Sequence, residues 1–201
     1  EFMRERTYFP VLCLLQVAGP EGAYAIDALA PGIDLGPLRE LFAAPQVLKV
    51  LHSARQDVEI FLNLWGEIPR PLFDTQAAAA VCGYGDQIGL EPLLQRLTGQ
   101  RLDKASRFTD WSRRPLTERQ IDYALGDVLH LRAAYDVLQA DLDRSGRLAW
   151  LNEEMSALLD PATYRAVPAE AWRRLKPRIS DRRALSVLRA GLRDQLAASP
   201  L

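Results

Sequence analysis

A tyrosine and an aspartate four positions apart, Tyr123 and Asp127, could act together on one substrate. Residues with this spacing lie on the same face of an α-helix. Glu1 and Asp57 add two carboxyl groups from distant parts of the chain. Three acids and a phenol are what a two-metal phosphodiester hydrolase needs, because carboxylate oxygens bind hard cations such as Mg²⁺. Taken singly, each residue has a simpler interpretation as a solvated acid or a boundary aromatic.

Asp57 follows the carboxyl end of a predicted strand, Val47–Leu51. The sequence Ser53-Ala54-Arg55-Gln56 fits a capping box, so we expect Ser53 to cap a helix of which Asp57 is the fourth residue. Open α/β sheets bind their ligands at this edge. The alternative is that Asp57 is a surface acid that complements the helix N-terminus.

The other elements that must position these side chains alternate between strands and helices. The run Val11–Val17 and the segment Ala23–Asp27 are predicted to pair as strands across a Gly-Pro turn. A second capping box, Thr117–Gln120, opens the longest predicted helix, whose apolar stripe continues to Leu138. Shorter helices are predicted over Leu35–Ala43, Thr75–Cys82 and Leu90–Leu97. This mixture predicts a three-layer α/β domain.

The composition is that of a soluble globular protein, with 201 residues, 48% hydrophobic and 25% charged. We find no membrane-spanning stretch and no secretory leader, and we predict a cytoplasmic protein without a membrane partner. Cys13 and Cys82 have no C-x-x-C spacing, which favours reduced thiols over a structural zinc site. Because the first residue is Glu1 and not methionine, we expect that an upstream segment is missing.

The charge is unevenly distributed along the chain. Residues 1–164 hold 16 Lys and Arg against 23 Asp and Glu, whereas residues 165–201 hold 9 against 3. The acidic part could bind metals and the basic tail could bind phosphates, or the tail is a solvated helix face.

Together the candidate residues resemble the ribonuclease D family. Glu1-Phe2 and the Arg4–Pro10 segment resemble the end of its first exonuclease motif. His52–Asp57 resembles the second motif, and Tyr123–Val128 the third motif in its tyrosine variant. The intervening segments Phe73–Gln76, Leu102–Trp111 and Arg114–Thr117 are also similar. The resemblance covers most of residues 1–150 in the same order.

The resemblance implies a ribonuclease H-like α/β fold, with a mixed sheet flanked by helices and a partial helical region, similar to an HRDC domain, at the end. The first central strand, and the family's first aspartate two residues before Glu1, would be absent. The implied activity is that of a DEDDy 3′–5′ exoribonuclease. Glu1, Asp57 and Asp127 would bind two divalent metal ions, Mg²⁺ or Mn²⁺, and Tyr123 would orient the attacking water.

The implied substrates are RNA 3′ ends, such as those of tRNA precursors or other structured RNA, with no obligate protein partner. The candidate substrate-binding residues are Phe2, His52, Lys104, Trp111 and Arg114. Phe2 either stacks on the terminal base or belongs to the core. Trp111 alternatively packs on the long helix, and His52 is alternatively a boundary histidine. Asp74 is expected to support the scaffold.

We divide the chain into an exonuclease domain with an incomplete N-terminus, residues 1–155, and a linker with the start of an HRDC-like domain, residues 156–201. A related exonuclease on single-stranded DNA is an alternative, because the metal mechanism does not involve the 2′-OH. A catalytically inactive nucleic-acid-binding module is a third possibility.

Overall fold

The strands of the protein form three two-stranded units. The computed structural model describes residues 1–4, 7, 9–101, 109–164, 172 and 181–198. In chain order the strands are β1 (Phe2–Met3), β2 (Val11–Leu12), β3 (Leu14–Gly19), β4 (Gly22–Asp27), β5 (Lys49–Leu51) and β6 (Leu72–Asp74). β1 pairs with β2 and β3 with β4, both antiparallel, whereas β5 and β6 are parallel. The predicted pairing of the first long strand with Ala23–Asp27 is confirmed, although that strand is divided into β2 and β3.

Eight α-helices account for most of the remaining described residues. They are α1 (Gly36–Ala43), α2 (Arg55–Trp65), α3 (Thr75–Cys82), α4 (Leu90–Thr98), α5 (Glu118–Leu129), α6 (Leu131–Ser145), α7 (Leu148–Leu158) and α8 (Arg182–Ala198), with a 3₁₀ turn at Pro161–Thr163. None of these helices is both long enough and apolar enough to cross a bilayer, in the part of the chain that the structure describes.

The longest predicted helix is two helices that meet at His130, so the prediction of one continuous helix is wrong. His130 adopts φ −96° and ψ −9°, and neither glycine nor proline marks the break. The cause is tertiary: α5 packs on β3 and β4, whereas α6 packs on α3 and α4. The direction of each helix is set by the elements it packs on. An apolar stripe in the sequence does not show that these elements differ.

The start of α2 also differs from the prediction. Ala54 is its N-cap residue and no side chain caps the helix, so the capping box proposed at Ser53 is wrong. Ser53 has a left-handed φ of 58°. Its N–H and that of Ala54 donate to the Asp74 carboxylate at 3.0 and 2.8 Å. By contrast, the capping box at Thr117 and Gln120 is present as predicted.

The core is divided into one large and two small clusters of buried side chains. The large one lies among α2, α3, α6 and α7 and includes Val58, Leu138 and Leu151. The second joins Cys13, Leu14, Trp111 and Ala124, and therefore seats α5 on the β3–β4 hairpin. The third contains Leu15, Phe42, Ile60 and Phe61. α5 thus depends on a small core of its own.

Candidate active site

The four predicted catalytic residues line one cleft of about 1440 Å³. Residues of β3 and β5 line it, and within the described residues β3 is paired with β4 alone and β5 with β6 alone. Glu1 comes from the first segment, Asp57 from α2, and Tyr123 and Asp127 from α5. Three stretches that are far apart in sequence therefore meet at one cavity.

Backbone hydrogen bonds hold Glu1 beside β3. Its amino group donates to the Leu14 carbonyl at 2.6 Å. The N–H groups of Cys13 and Leu14 both donate to the Glu1 carbonyl, at 3.0 and 3.1 Å. The Glu1 backbone is therefore fixed at the cleft beside β3.

Asp57 is a half-buried carboxyl group in the first turn of α2. Burial raises its pKa to about 6, because the charged form loses its hydration. The carboxylates of Glu1 and Asp74 raise this pKa further. The carboxylates of Glu1 and Asp57 are thus close enough to repel each other.

Asp74 fixes the start of α2, and through it Asp57. Its side chain is only 5% exposed. It accepts hydrogen bonds from Ser53, Ala54, Gln76 and Ala77, at 3.0, 2.8, 2.7 and 3.4 Å. One buried carboxylate therefore binds the N–H groups at the beginning of both α2 and α3, as a charged N-cap does. The predicted scaffold role of Asp74 is confirmed.

Tyr123 and Asp127 are half-buried neighbours on the cleft face of α5. Between them, Ala124 is fully buried against the hairpin. The ring of Trp111 packs against Tyr123, with 6.1 Å between the ring centroids and an interplanar angle of 34°. This packing fixes the helix face that carries the phenol.

The carboxylates share the cleft, but they do not form a metal cage in this structure. In the described segments, no group of three or more His, Cys, Asp or Glu side chains is close enough to hold one ion. The three acids expected to bind metal therefore line the same cleft, and their role as metal ligands stays a prediction.

His52 lines the cleft but is bound to the scaffold. Its Nδ1 lies 2.9 Å from Thr75 Oγ1, and the Thr75 hydroxyl donates to the Leu51 carbonyl at 3.1 Å. The hydroxyl proton is thus used, which leaves the imidazole N–H as the donor of the first bond. Burial lowers the pKa of His52, so the ring is neutral at neutral pH.

Two of the candidate RNA-binding side chains are engaged within the protein. Trp111 takes its alternative role of packing on the long helix, and Arg114, although partly exposed, is bound by other protein groups. Trp111 is 2% exposed and offers no free face to a base. The Arg114 guanidinium binds the Asp27 carboxylate and the carbonyls of Trp111 and Cys13. Phe2 lines the cleft and packs at the edge of the third core cluster. Lys104 lies outside the described residues.

No sequence pattern indicates the partners of two arginines. Asp27 pairs with Arg114 across 87 positions, and Glu59 pairs with Arg4 across 55 positions at 2.9 and 3.1 Å. Both pairs join elements that are distant in the chain. No local sequence pattern, such as a capping box, connects residues so far apart in the chain. These two pairs are therefore identified only from the structure.

Comparison with known proteins shows which family the chain with this cleft belongs to. A family model described as 3′–5′ exonuclease matches residues 1–143, more than half of the chain. The chain belongs to the 3′–5′ exonuclease family. The exonuclease match includes all four predicted catalytic residues.

Exonucleases of this family include close relatives of the chain. Ribonuclease D of Granulibacter bethesdensis is 57% identical over 190 residues, which are 94% of this chain and 48% of that protein. The structure of Escherichia coli RNase D, described as an exoribonuclease involved in structured RNA processing, matches with a TM-score of 0.80 and 39% identity. This match covers 88% of our chain and 47% of the other. The predicted ribonuclease H-like α/β fold is confirmed.

Other solved structures share the fold at lower sequence identity. Structures of Brucella melitensis NrnC bound to pGG and with bound Mg²⁺ match with TM-scores of 0.73 and 0.72, at 25% and 24% identity. Each match covers 90% of this chain and 87% of that one. The chain spans about half the length of the curated relatives it matches.

Proposed function

We propose that this chain is the catalytic part of a metal-dependent exonuclease that removes nucleotides one at a time from the 3′ end of RNA, releasing 5′-monophosphates. The observation that carries the proposal is the meeting of Glu1, Asp57, Tyr123 and Asp127 at one cleft. They line it within a chain of the 3′–5′ exonuclease family. The sequence similarity to ribonuclease D supports RNA as the substrate.

The donor groups fit two hard divalent ions, Mg²⁺ or Mn²⁺. Glu1, Asp57 and Asp127 offer carboxylate oxygens, which these cations prefer to thiols. The Glu1 carboxylate contributes to the raised pKa of Asp57, which supports the nearness of these two acids. The metals, when bound, would activate a water and stabilise the charge on the departing 3′ oxygen.

Three side chains have distinct roles in the proposed reaction. Asp57 must lose its proton before it can act as a ligand, which its pKa of about 6 permits at neutral pH. Tyr123 orients the attacking water by a hydrogen bond, since a phenol with an ordinary pKa near 10 is a poor general base. Phe2 lies at the cleft wall, where it can pack against the terminal base whatever its identity.

We further propose that the substrates are the 3′ ends of structured RNAs, tRNA precursors among them, and that the enzyme acts in the cytoplasm. The HRDC-like tail would assist RNA binding. In α8 the guanidinium of Arg189 lies over the Trp172 ring, 4.0 Å from its centroid. Because Leu151, Met155 and Tyr164 all pack in the large core, we place the end of the exonuclease domain after Tyr164 instead of at residue 155.

The test uses the natural gene product that carries this chain, with single-stranded RNA and DNA of one sequence labelled at the 5′ end. Reactions contain Mg²⁺, Mn²⁺ or EDTA. We expect a ladder of stepwise shortened RNA with either metal and intact RNA with EDTA. An RNA blocked by a 3′-phosphate should be shortened poorly, because an exonuclease enters at the 3′ hydroxyl end.

Matched variants connect the result to the cleft. Asp127→Asn removes a proposed ligand, whereas Asp122→Asn changes an exposed acid of the same helix. We expect the first to abolish shortening and the second to leave it intact. Faster shortening of DNA would support the alternative substrate. RNA binding without cleavage in both metals would contradict the enzymatic proposal and favour a binding module.

A further inference from the structure

Arg114 is the centre of a partly exposed hydrogen-bond network that reaches the cleft through Trp111. Its Nε donates to Asp27 Oδ2 at 2.8 Å, and its Nη2 donates to Oδ1 of the same carboxylate. The remaining N–H groups donate to the carbonyls of Trp111 at 2.8 Å, Cys13 at 2.9 Å and Arg113 at 3.0 Å. One planar guanidinium thus joins the end of β4, the start of β3 and the segment before α5.

The segment that carries Trp111 is also tied to α5 at its two ends. Gln120 donates to Thr109 Oγ1 at 3.1 Å on one side of Trp111. On the other side, Gln120 and Thr117 form the capping box. The Trp111 ring is therefore held from both directions, and it lies against Tyr123.

The indole N–H does not account for the burial of Trp111. Its Nε1 is buried and has no hydrogen-bond partner among the residues that the structure describes. A buried donor without a partner costs free energy. The ring surface, which contacts Cys13, Leu14, Ala124 and Tyr123, is what the fold uses at this position.

We propose that Asp27, Arg114 and Trp111 form a positioning chain that sets the orientation of Tyr123. The guanidinium fixes the Trp111 backbone to the β3–β4 hairpin, and the Trp111 ring fixes the phenol. The inference rests on the proposed function, in which Tyr123 orients the attacking water. A small displacement of such a group lowers the rate of the chemical step more than it weakens substrate binding.

The variants separate the parts of this chain. Trp111→Phe keeps an aromatic ring but is smaller and lacks the unpaired N–H, whereas Trp111→Leu removes the aromatic surface. Arg114→Lys keeps the charge but cannot bridge Asp27 and two carbonyls at once. Asp27→Asn is a mild variant at a partly exposed side chain. Arg39→Lys, in a surface ion pair with Glu67 away from this network, is the matched control.

Two measurements are made on each folded variant: kcat and KM for RNA shortening, and the NMR signal of ¹³C-labelled Tyr123, assigned with Tyr123→Phe. We expect Trp111→Leu and Arg114→Lys to lower kcat about 10- to 100-fold. KM should change little, and the Tyr123 signal should shift or broaden. Arg39→Lys should retain kcat and the native signal, and Trp111→Phe and Asp27→Asn should lie between.

The NMR measurement keeps the positioning inference testable apart from the enzymatic proposal. An inactive native protein would refute the proposed function, while the Tyr123 signal would still report its orientation. If Trp111→Leu and Arg114→Lys lower the thermal midpoint but leave both kcat and the Tyr123 signal as in the native protein, the network is merely structural and our inference is wrong. If Trp111→Leu does not fold, the test rests on Asp27→Asn. A native Tyr123 signal in that variant would equally show that the positioning inference is wrong.

Discussion

Replacing Asp57 by asparagine should stabilise the metal-free protein. The folded state raises the pKa of this carboxyl from 3.8 to about 6, chiefly through burial. A proton is thus bound more tightly in the folded than in the unfolded state. Between these two pKa values the unfolded chain binds fewer protons, so the free energy of unfolding falls as the pH rises.

The magnitude follows from the size of the shift. A change of about two pKa units corresponds to roughly 3 kcal/mol at 1.36 kcal/mol per unit. Because Asp57 is half-buried and keeps some contact with water, we expect about 1–3 kcal/mol of gain for Asp57→Asn above pH 7. Asparagine resembles the protonated acid, so the gain should shrink as the pH approaches 4.

The assay is urea unfolding in EDTA at several pH values from 4.5 to 8, for the native protein, Asp57→Asn and the exposed control Asp122→Asn. We expect the difference in unfolding free energy to grow with pH for Asp57→Asn and to stay near zero for the control. A variant that is no more stable than the native protein at pH 8 would refute the desolvation argument. With saturating Mn²⁺ the order should reverse, because only the native protein keeps this ligand.

Three further predictions concern the same cleft. Asp127→Asn should abolish RNA shortening while leaving the thermal midpoint nearly unchanged, and retained activity would contradict its role as a ligand. Asp74→Ala should cost roughly 3 kcal/mol in urea unfolding, because a buried charged acceptor of four N–H groups is lost; a loss under 1 kcal/mol would show that α2 and α3 start without it. Mg²⁺ or Mn²⁺ should raise the thermal midpoint of the native protein, with the increase abolished by EDTA; a midpoint independent of metal would speak against the ligand set.

Local sequence patterns predicted those features that depend on neighbouring residues. The capping box at Thr117 and the pairing of two strands across a tight turn are of this kind. The resemblance to a nuclease family identified the residues that share the cleft. In each case the information lies within a few positions, or in motifs of fixed order.

Features that depend on distant contacts were predicted poorly. The start of α2 is set by Asp74, about 20 positions away, so the local serine was a misleading signal. The break at His130 arises because α5 and α6 pack on different partners. Arg114 looked like an RNA-binding cation in a basic stretch, yet Asp27 and two carbonyls occupy its guanidinium. Burial and long-range pairing, which decide such roles, are not visible in a short window.

The most direct test of the central claim is the position of manganese in crystals of the natural gene product, located by its anomalous scattering. We predict Mn²⁺ in the cleft, bound by the carboxylates of Glu1, Asp57 and Asp127, with the three side chains closer together than in the metal-free protein. Manganese bound elsewhere, or a cleft that stays empty at millimolar concentrations that support RNA shortening, would contradict the account.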